Sequence, residues 1–590
     1  MKRKLLLLTS TLLLASCQSI VVSSTSESLN STTSGENSTL VEQTTSSEEQ
    51  IVIPEGYYEL CEGVYVSQRP GVYSNKVKIE FFVTNENYEL YYTLDNRVPP
   101  IHSYYLYNGN YIEIDSYDSQ DISDYPLTRA VDAILPNDYE GKCVSIDYNI
   151  NIQTNEEYYL LPLQTIITLR VYDLESESDV LNRSLSYIID KEGKYSDIPV
   201  VSLSMPYTEW FGTNGFYNKI RENIEKRVNL EFYDPVYDEY FYRNSQIKLG
   251  GNWSLGYPQR TLNLNFNKDQ NGKKNKPVTE HVFGERMRRD GEGRLTKITR
   301  FRLHNGGNCF EEFTGLNDAL LQTIMEDGYG STTAYRPCIA YLNGEYWGIY
   351  SLREHYKDSY VENNYGIDKD NVIFYEYKGQ YLIEDGDEVI GEQLINELQQ
   401  YVTNNDFTKD EVYQKFIDEY IDEDSFIDVF LANAYSCNWD FVGNWNNLKL
   451  WRSITKNDSN PYEDGKWRFC FHDSDFAFRE DVNYLDVNHQ HTYAKYDIFR
   501  SLMNNEQFKE KFYVRAEYLI LNNFSEQNSS NILTEMIDNI YNYKHDSAYR
   551  WGKKDSYFTY WHDQINYVYN YFKTKSSSFL KLLRDTMKQY

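Results

Sequence analysis

Residues 469–478, FCFHDSDFAF, set two carboxylates, Asp473 and Asp475, one residue apart inside a run of aromatic side chains. Runs rich in Phe and Trp form strands that are normally buried. A charge placed there needs a cation, a hydrogen-bond network or an opening to water. A second group of oxygen-bearing side chains, Asp440, Asn444, Asn446 and Asn447, lies upstream in CNWDFVGNWNNLKLWR, residues 437–452. Carboxylates and amides without a His or Cys cluster are hard oxygen ligands, suited to Mg²⁺, Mn²⁺ or Ca²⁺ rather than zinc. Paired carboxylates of this kind hold a cation against phosphates or support metal-dependent hydrolysis. They are equally at home as the solvated ends of a hairpin, so the surrounding elements decide.

Those elements are legible. DEDSFIDVFLANAYSCN, residues 422–438, has apolar residues at Phe426, Val429, Phe430 and Ala434, the spacing of a helix with acidic residues at its start. Residues 448–452 then alternate as a strand, 453–465 form a polar turn, and KWRFCF (466–471) returns as a second strand. In an antiparallel hairpin the start of one strand lies beside the end of the other. Asp440, Asn444, Asn446 and Asn447 are thereby brought next to Asp473 and Asp475. An Asp, an Asn a few residues on, a hairpin and then a second Asp is the order that protein kinases use. GGNWSLG (250–256) is a glycine-containing turn whose N–H groups could cradle phosphates. Lys248, Arg300, Arg302 and Lys449 are candidates to offset a triphosphate's charge, and His304 and Asn305 lie in a polar turn with no assigned role. AYLNGEYWGIYSLREHY (340–356) reads as a hairpin turning at Asn343-Gly344. Residues 76–83, 88–95, 165–173 and 185–190 read as strands of a small β-sandwich. The last ninety or so residues, from Ile498, read as amphipathic helix.

The whole chain narrows the function classes. With 58 Lys and Arg against 89 Asp and Glu, its formal net charge is −31, so no cationic surplus exists to displace counterions from nucleic acid. MKRKLLLLTSTLLLASC (1–17) is a basic start, a short apolar stretch and small residues before Cys17, a secretory signal too short to span a membrane. Its LASC ending resembles a bacterial lipobox, which implies lipidation of Cys17, attachment to the membrane through that lipid alone and an extracytoplasmic location. Residues 18–52 are Ser, Thr, Glu and Asn with few aromatics, a disordered tether. Six further cysteines, with no C-x-x-C pair, leave disulfides and buried thiols both open.

The expected organisation is a signal over 1–17, a tether over 18–52, a β-sandwich over 53–192 and a larger α+β domain over 193–590. YYTLDNRVPP (91–100) followed by TLRVYD (168–173) resembles the chitobiase C-terminal-like module, with Asn96-Arg97 where that family usually has Gly-Ser. A spacer or interaction module, in contact with carbohydrate or the cell envelope, is what this resemblance implies. From Ile198 onward the chain resembles the CotH (spore-coat H) kinase family of atypical secreted protein kinases. The resemblance rests on IPVVSL, LGGNWSLGYPQRTLNL, FRLHNGGN, LNDALLQTIM, YLNGEYWGIYSLREHY, KWRFCFHDSDFAF and YRWGKK, in that order. It implies an atypical protein-kinase-like fold, ATP and Mg²⁺ (or Mn²⁺) as cofactors, and transfer to Ser, Thr or Tyr of a protein substrate. Carried over residue by residue, it makes Asp440 the catalytic base, Asp473 the principal metal ligand, Asp475 its second carboxylate and Asn447 the metal-binding amide. Arg260 stands where the family has a nucleotide-contacting Lys, with Glu354 as its acidic partner, and Lys248 joins them at the nucleotide. His472 replaces a Trp before the first metal Asp. Because Arg replaces that Lys, an inactive pseudokinase or carbohydrate-associated surface adhesin of the same fold is the alternative. If Cys17 carries the lipid, Cys17→Ser should release the protein from membranes or leave an uncleaved precursor. Normal processing and membrane retention of that variant would contradict the assignment.

Overall fold

The structure, a computed structural model, describes residues 53–116 and 161–589 apart from 95, 162, 212–214, 218, 221, 270, 310–312, 378–380, 444–446, 481, 484, 486–493 and 552–554. Cys17, the expected tether, Cys143, Asn444 and Asn446 lie outside the described residues. Helices and strands are mixed behind an all-β N-terminal region, the α+β class expected from the pattern.

Short alternating segments first give β1 (Tyr58–Cys61), β2 (Val64–Val66), β3 (Gly71–Tyr73), β4 (Val77–Ile79) and β5 (Phe81–Val83). There follow β6 (Tyr88–Thr93), β7 (Ile112–Ile114), β8 (Thr165–Asp173) and β9 (Ser178–Ile189). They pair as β1-β2-β5, β3-β9-β8-β6 and β4-β7, and Val64, Ile79, Leu90, Ile114, Ile167 and Leu185 close one core among the three sheets. Residues 76–83, one strand by pattern, break at Glu80 into β4 and β5, which join different sheets.

A closed barrel comes next. Its strands are β10 (Val200–Ser204), β11 (Glu225–Asp234), β12 (Glu239–Gly250), β13 (Thr261–Asn265), β14 (Arg300–His304), β15 (Tyr335–Leu342) and β16 (Glu345–Arg353). The order is β10-β11-β12-β13-β14-β16-β15, and parallel pairing of β10 with β15 closes the ring. A short helix, α1 (Tyr207–Trp210), follows β10, and α2 (Asn317–Ile324) is inserted between β14 and β15. Leu203, Leu230, Ile247, Leu264, Leu303, Leu352 and Trp347 fill the interior. The β15–β16 turn has positive φ at both Asn343 (51°) and Gly344 (82°), the geometry for which Asn-Gly is selected.

The second lobe begins with α3 (Asp358–Tyr365), β17 (Val372–Tyr377) and β18 (Tyr381–Asp385), then α4 (Glu388–Asn404), α5 (Asp410–Glu419) and α6 (Glu423–Tyr435). β19 (Leu448–Ser453) and β20 (Arg468–Cys470) complete a sheet of order β18-β17-β19-β20. The chain ends in α7 (Ala494–Met503), α8 (Glu506–Leu521), α9 (Glu526–Arg550) and α10 (Asp555–Met587). Asp422 caps α6 by accepting from Ser425 N at 2.9 Å. α6 is buried almost throughout, and its Asp428 is answered by Arg515 of α8 at 2.7 Å. No described helix is long and apolar enough to cross a membrane. Cys61, Cys309, Cys338, Cys437 and Cys470 are all free thiols.

The N-terminal β region is not loosely strung ahead of the barrel. Ile188, Tyr195, Val200, Ile339, Tyr341, Tyr346 and Tyr543 share one apolar layer, and Ser186 and Ser202 hydroxyls meet at 2.9 Å. Glu231 is buried at this junction: Tyr240 donates to its Oε1 at 2.6 Å, and Arg183 of β9 donates to Tyr240 at 2.8 Å. Burial, only partly opposed by Arg183 and by hydrogen bonds from Ser186 and Tyr240, pushes the Glu231 carboxyl up to about 7 from its ordinary 4.5. The folded state therefore holds this proton more tightly than the unfolded chain. Its stabilising contribution is complete below about pH 4.5 and is lost as pH rises through about 7. Glu231→Gln should gain on the parent between about pH 5 and pH 8 by on the order of 2 kcal/mol. Urea midpoints of both proteins at the two pH values measure this, and an identical pH dependence would contradict it.

Candidate active site

Along β14, Phe301 and Leu303 turn into the barrel, so Arg302 and His304 turn outward. Across the sheet Arg302 is in register with Asn263 and with Arg353. A cavity of about 630 Å³ opens between this outward face and the ends of β19 and β20. The barrel contributes Thr261, Arg302, His304 and Arg353; the second lobe contributes Asp440, Asn447, Lys449, Asp473 and Asp475.

Two local devices aim the second-lobe oxygens. α6 ends at Ser436, Cys437 turns the chain with φ 51°, and a π-helical turn (Trp439–Gly443) presents Asp440 half-buried at the cleft. At the start of β19, Asn447 donates from Nδ2 to Asp440 Oδ2 at 2.7 Å. The hairpin register pairs Lys449 with Cys470, which carries the chain beyond β20 back to the same place. Asn447 (φ 55°) and Asp473 (φ 54°) both lie in the left-handed region, which Asn and Asp enter more readily than other non-glycine residues.

The turn Asp473-Ser474-Asp475 is gripped from two sides. Asp318 of α2 accepts from Ser474 N at 3.0 Å and from Gln322 Nε2 at 2.9 Å, and pairs with Arg353 of β16 at 3.1 Å. On the other side, Asn308 N donates to Asp475 Oδ2 at 2.8 Å, and Cys309 Sγ donates to the Asp475 carbonyl at 2.7 Å. A Cβ on Gly307 would lie 1.9 Å from Asp475 Oδ2, so that position admits only glycine. Asn305 shapes this loop by accepting from Gly307 N at 3.0 Å and donating to the Gln259 carbonyl at 2.6 Å. The HNGGN turn is thus the seat of Asp475.

Charge is crowded here. Burial, followed by Asp473 and Asp318, raises the Asp475 carboxyl well above the usual carboxylate range. Its Oδ1 is buried with no hydrogen-bond partner. Burial, with Arg302 and Arg353, pushes His304 down to about 3, so it faces the cleft uncharged at neutral pH. Lys449 pairs with Glu384 at 2.6 Å and Glu376 at 3.5 Å, while His472 Nε2 lies 2.8 Å from Glu376. Asp473, Asp475 and Asn447 are the side chains that could hold a hard cation. Among the described residues no three His, Cys, Asp or Glu side chains converge as a ready-made cage. An orphaned buried carboxylate oxygen beside two further carboxylates nevertheless suits Mg²⁺, which binds through one or two carboxylates and fills its shell with water and phosphate.

Three residues expected at the nucleotide are placed otherwise. Arg260 is fully buried, its Nε donating to the Leu255 carbonyl at 2.9 Å and its Nη1 to the Tyr217 carbonyl at 2.6 Å. Its guanidinium stacks on Tyr217, 4.7 Å from the ring centroid, and lies outside the cleft lining. Glu354 borders the cleft but does not pair with Arg260; it accepts from Ala334 N at 2.9 Å and Asn364 Nδ2 at 2.7 Å, and burial raises its pKa. Lys248 shares the outward face of Asn263 without lining the cleft, and Arg300 pairs with Asp358 at 3.5 Å. Asp318 and Arg353 were not expected. The available signal was an acidic residue on the buried helix LNDALLQTI and a basic one beside Glu354.

The cleft thus lies between the barrel and a second lobe of one α+β fold. The family model described as CotH kinase protein matches residues 247–579, more than half of the chain and every residue lining the cleft. The chain belongs to the CotH kinase protein family. A comparison with curated proteins gives no match.

Because Arg260 satisfies two buried carbonyls, Arg260→Ala should destabilise the fold by about 2 kcal/mol, the scale for stranding buried acceptors. Denaturant unfolding measures this. An unchanged midpoint would return Arg260 to the list of surface-facing cations.

Proposed function

We propose that the protein is an ATP- and Mg²⁺-dependent protein kinase, transferring the γ-phosphate to a Ser, Thr or Tyr hydroxyl of surface proteins. What carries this reading is the meeting, in one cleft, of the Asp440–Asn447 pair with the doubly gripped Asp473-Ser474-Asp475 turn. Asp440, fixed by Asn447, orients the acceptor hydroxyl and takes up its proton. Asp473, Asn447 and Asp475 would hold Mg²⁺, which supplies positive charge against the phosphate oxygens. Trp253 and Trp439, each 42% exposed, stand at the cleft wall on the Asn252–Ser254 and Asp440 sides.

The lipobox-like LASC ending supports an extracytoplasmic lipid anchor at Cys17. The β-sandwich supports a second contact. Tyr104 is 87% exposed with its ring 4.2 Å from Tyr105, a surface suited to stacking on carbohydrate of the envelope. The pseudokinase or adhesin alternative rests on Arg in place of Lys at position 260 and on the chitobiase-like module; of these, the Arg260 guanidinium does not line the cleft.

The two aspartates should separate by experiment. Asp473→Asn removes a charge the cation needs, so metal-dependent ATP binding should fall together with turnover. Asp440→Asn should leave ATP binding nearly intact while phosphotransfer drops by about 10²-fold or more. Calorimetric ATP binding and autophosphorylation of parent and variants measure both. Equal binding in all three with no phosphotransfer in the parent would reject catalysis, and a binding loss in Asp440→Asn as large as in Asp473→Asn would mean their roles are misassigned.

A further inference from the structure

Of the Lys and Arg side chains lining the cleft, all but one are already committed. Arg353 gives Nε and Nη2 to Thr333 Oγ1, at 3.1 and 2.6 Å, and its Nη1 forms an ion pair with Asp318 at 3.1 Å. Lys449 is buried between Glu384 and Glu376. His472 lies against Glu376, and His304 is neutral with its Nδ1 accepting from Gly306 N at 3.3 Å. Arg302 differs. Its Nε donates to Asn263 Oδ1 at 2.8 Å, which fixes the plane of the guanidinium. Neither Nη has an acceptor among the described residues, and Arg302 forms no ion pair there, although Glu384, Asp473, Asp318 and Glu376 surround it electrostatically. The glycine turn serves this arrangement: a Cβ on Gly250 would lie 2.7 Å from Asn263 Nδ2, so glycine leaves room for the amide that aims Arg302.

We infer that Arg302, not Arg260, is the side chain that binds the nucleotide's phosphates, its free two-nitrogen edge gripping oxygens that the Asp473–Asp475 side reaches through the cation. The inference rests on the kinase reading above. A planar fork held at Nε with both Nη groups open to the cavity is the geometry for bidentate phosphate contact. The acidic neighbours keep the guanidinium charged and in place until a more strongly charged ligand arrives. Phosphate binding then needs no disruption of the Arg353–Asp318 or Lys449–Glu384 pairs.

The test compares binding of Mg²⁺·ATP and of adenosine to the full chain for the parent, Arg302→Ala and Arg302→Lys. A phosphate-binding role predicts that Arg302→Ala weakens ATP by about tenfold to a hundredfold, the range of a charged hydrogen-bonded contact. Adenosine affinity should stay within about twofold, and Arg302→Lys should recover part of the loss, as Lys retains the charge without the fork. Retained adenosine binding shows that the variant is folded. Loss of ATP and adenosine together, or unchanged ATP affinity in Arg302→Ala while the parent binds ATP, overturns Arg302's role and leaves the kinase reading standing. A parent that binds neither ligand overturns both.

Discussion

The cleft depends on one half-buried carboxylate held by the scaffold, Asp318. Its carboxylate accepts from the backbone N–H in the middle of the Asp-Ser-Asp turn and from the Gln322 amide, and pairs in charge with the Arg353 guanidinium. A helix inserted between two barrel strands is thereby tied at once to the barrel wall and to the turn that carries the candidate ligands. A charge removed from water is tolerated only when its hydrogen-bonding capacity is met. Asp318 meets that condition, and in doing so fixes the distance between the lobes where Asp473 and Arg302 face each other. Asp475 does not meet it, since one oxygen stays orphaned. The contrast between a satisfied carboxylate and an unsatisfied one nearby separates scaffold from ligand site more sharply than either sequence position does.

Charge bookkeeping in the cleft follows from the same contrast. The chain as a whole is strongly acidic, and the cavity gathers Asp318, Asp440, Asp473 and Asp475 against Arg302, Arg353 and Lys449. Two of those cations are neutralised by pairs that belong to the fold. Burial first, and then the residual negative charge near Asp475, drive its carboxyl upward, and that charge suits a divalent cation.

Much of this was legible in the sequence, because antiparallel hairpins turn chain order into proximity. The segment from Asp440 through β19 and β20 to Asp475 needed only alternation, a polar turn and a helix with an acidic cap. The Asn343-Gly344 turn and α6 were equally plain. The barrel's closure was not, since it depends on a parallel contact between β10 and β15, strands well over a hundred residues apart. Alternation along β14 says that Arg302 and Phe301 face opposite ways but not which side is the interior. Arg260 was misread for a related reason. It sits just before β13, where no alternation fixes its direction, and the deciding partner, Tyr217, comes from the segment after α1. Asp318 escaped notice because a lone acid on a short helix gives no hint of the backbone amide it will meet.

The central claim is that the doubly gripped turn, Asn447 and Arg302 together form a cation–nucleotide site. The most direct measurement is anomalous diffraction from crystals grown with Mn²⁺ and a non-hydrolysable ATP analogue. The account predicts a single strong peak within coordinating distance, about 2.1 Å, of an Asp473 oxygen, with phosphate oxygens completing the shell and Arg302 on their far side. Nucleotide bound elsewhere, or a manganese peak away from Asp473 and Asp475 with an empty cleft, would contradict it.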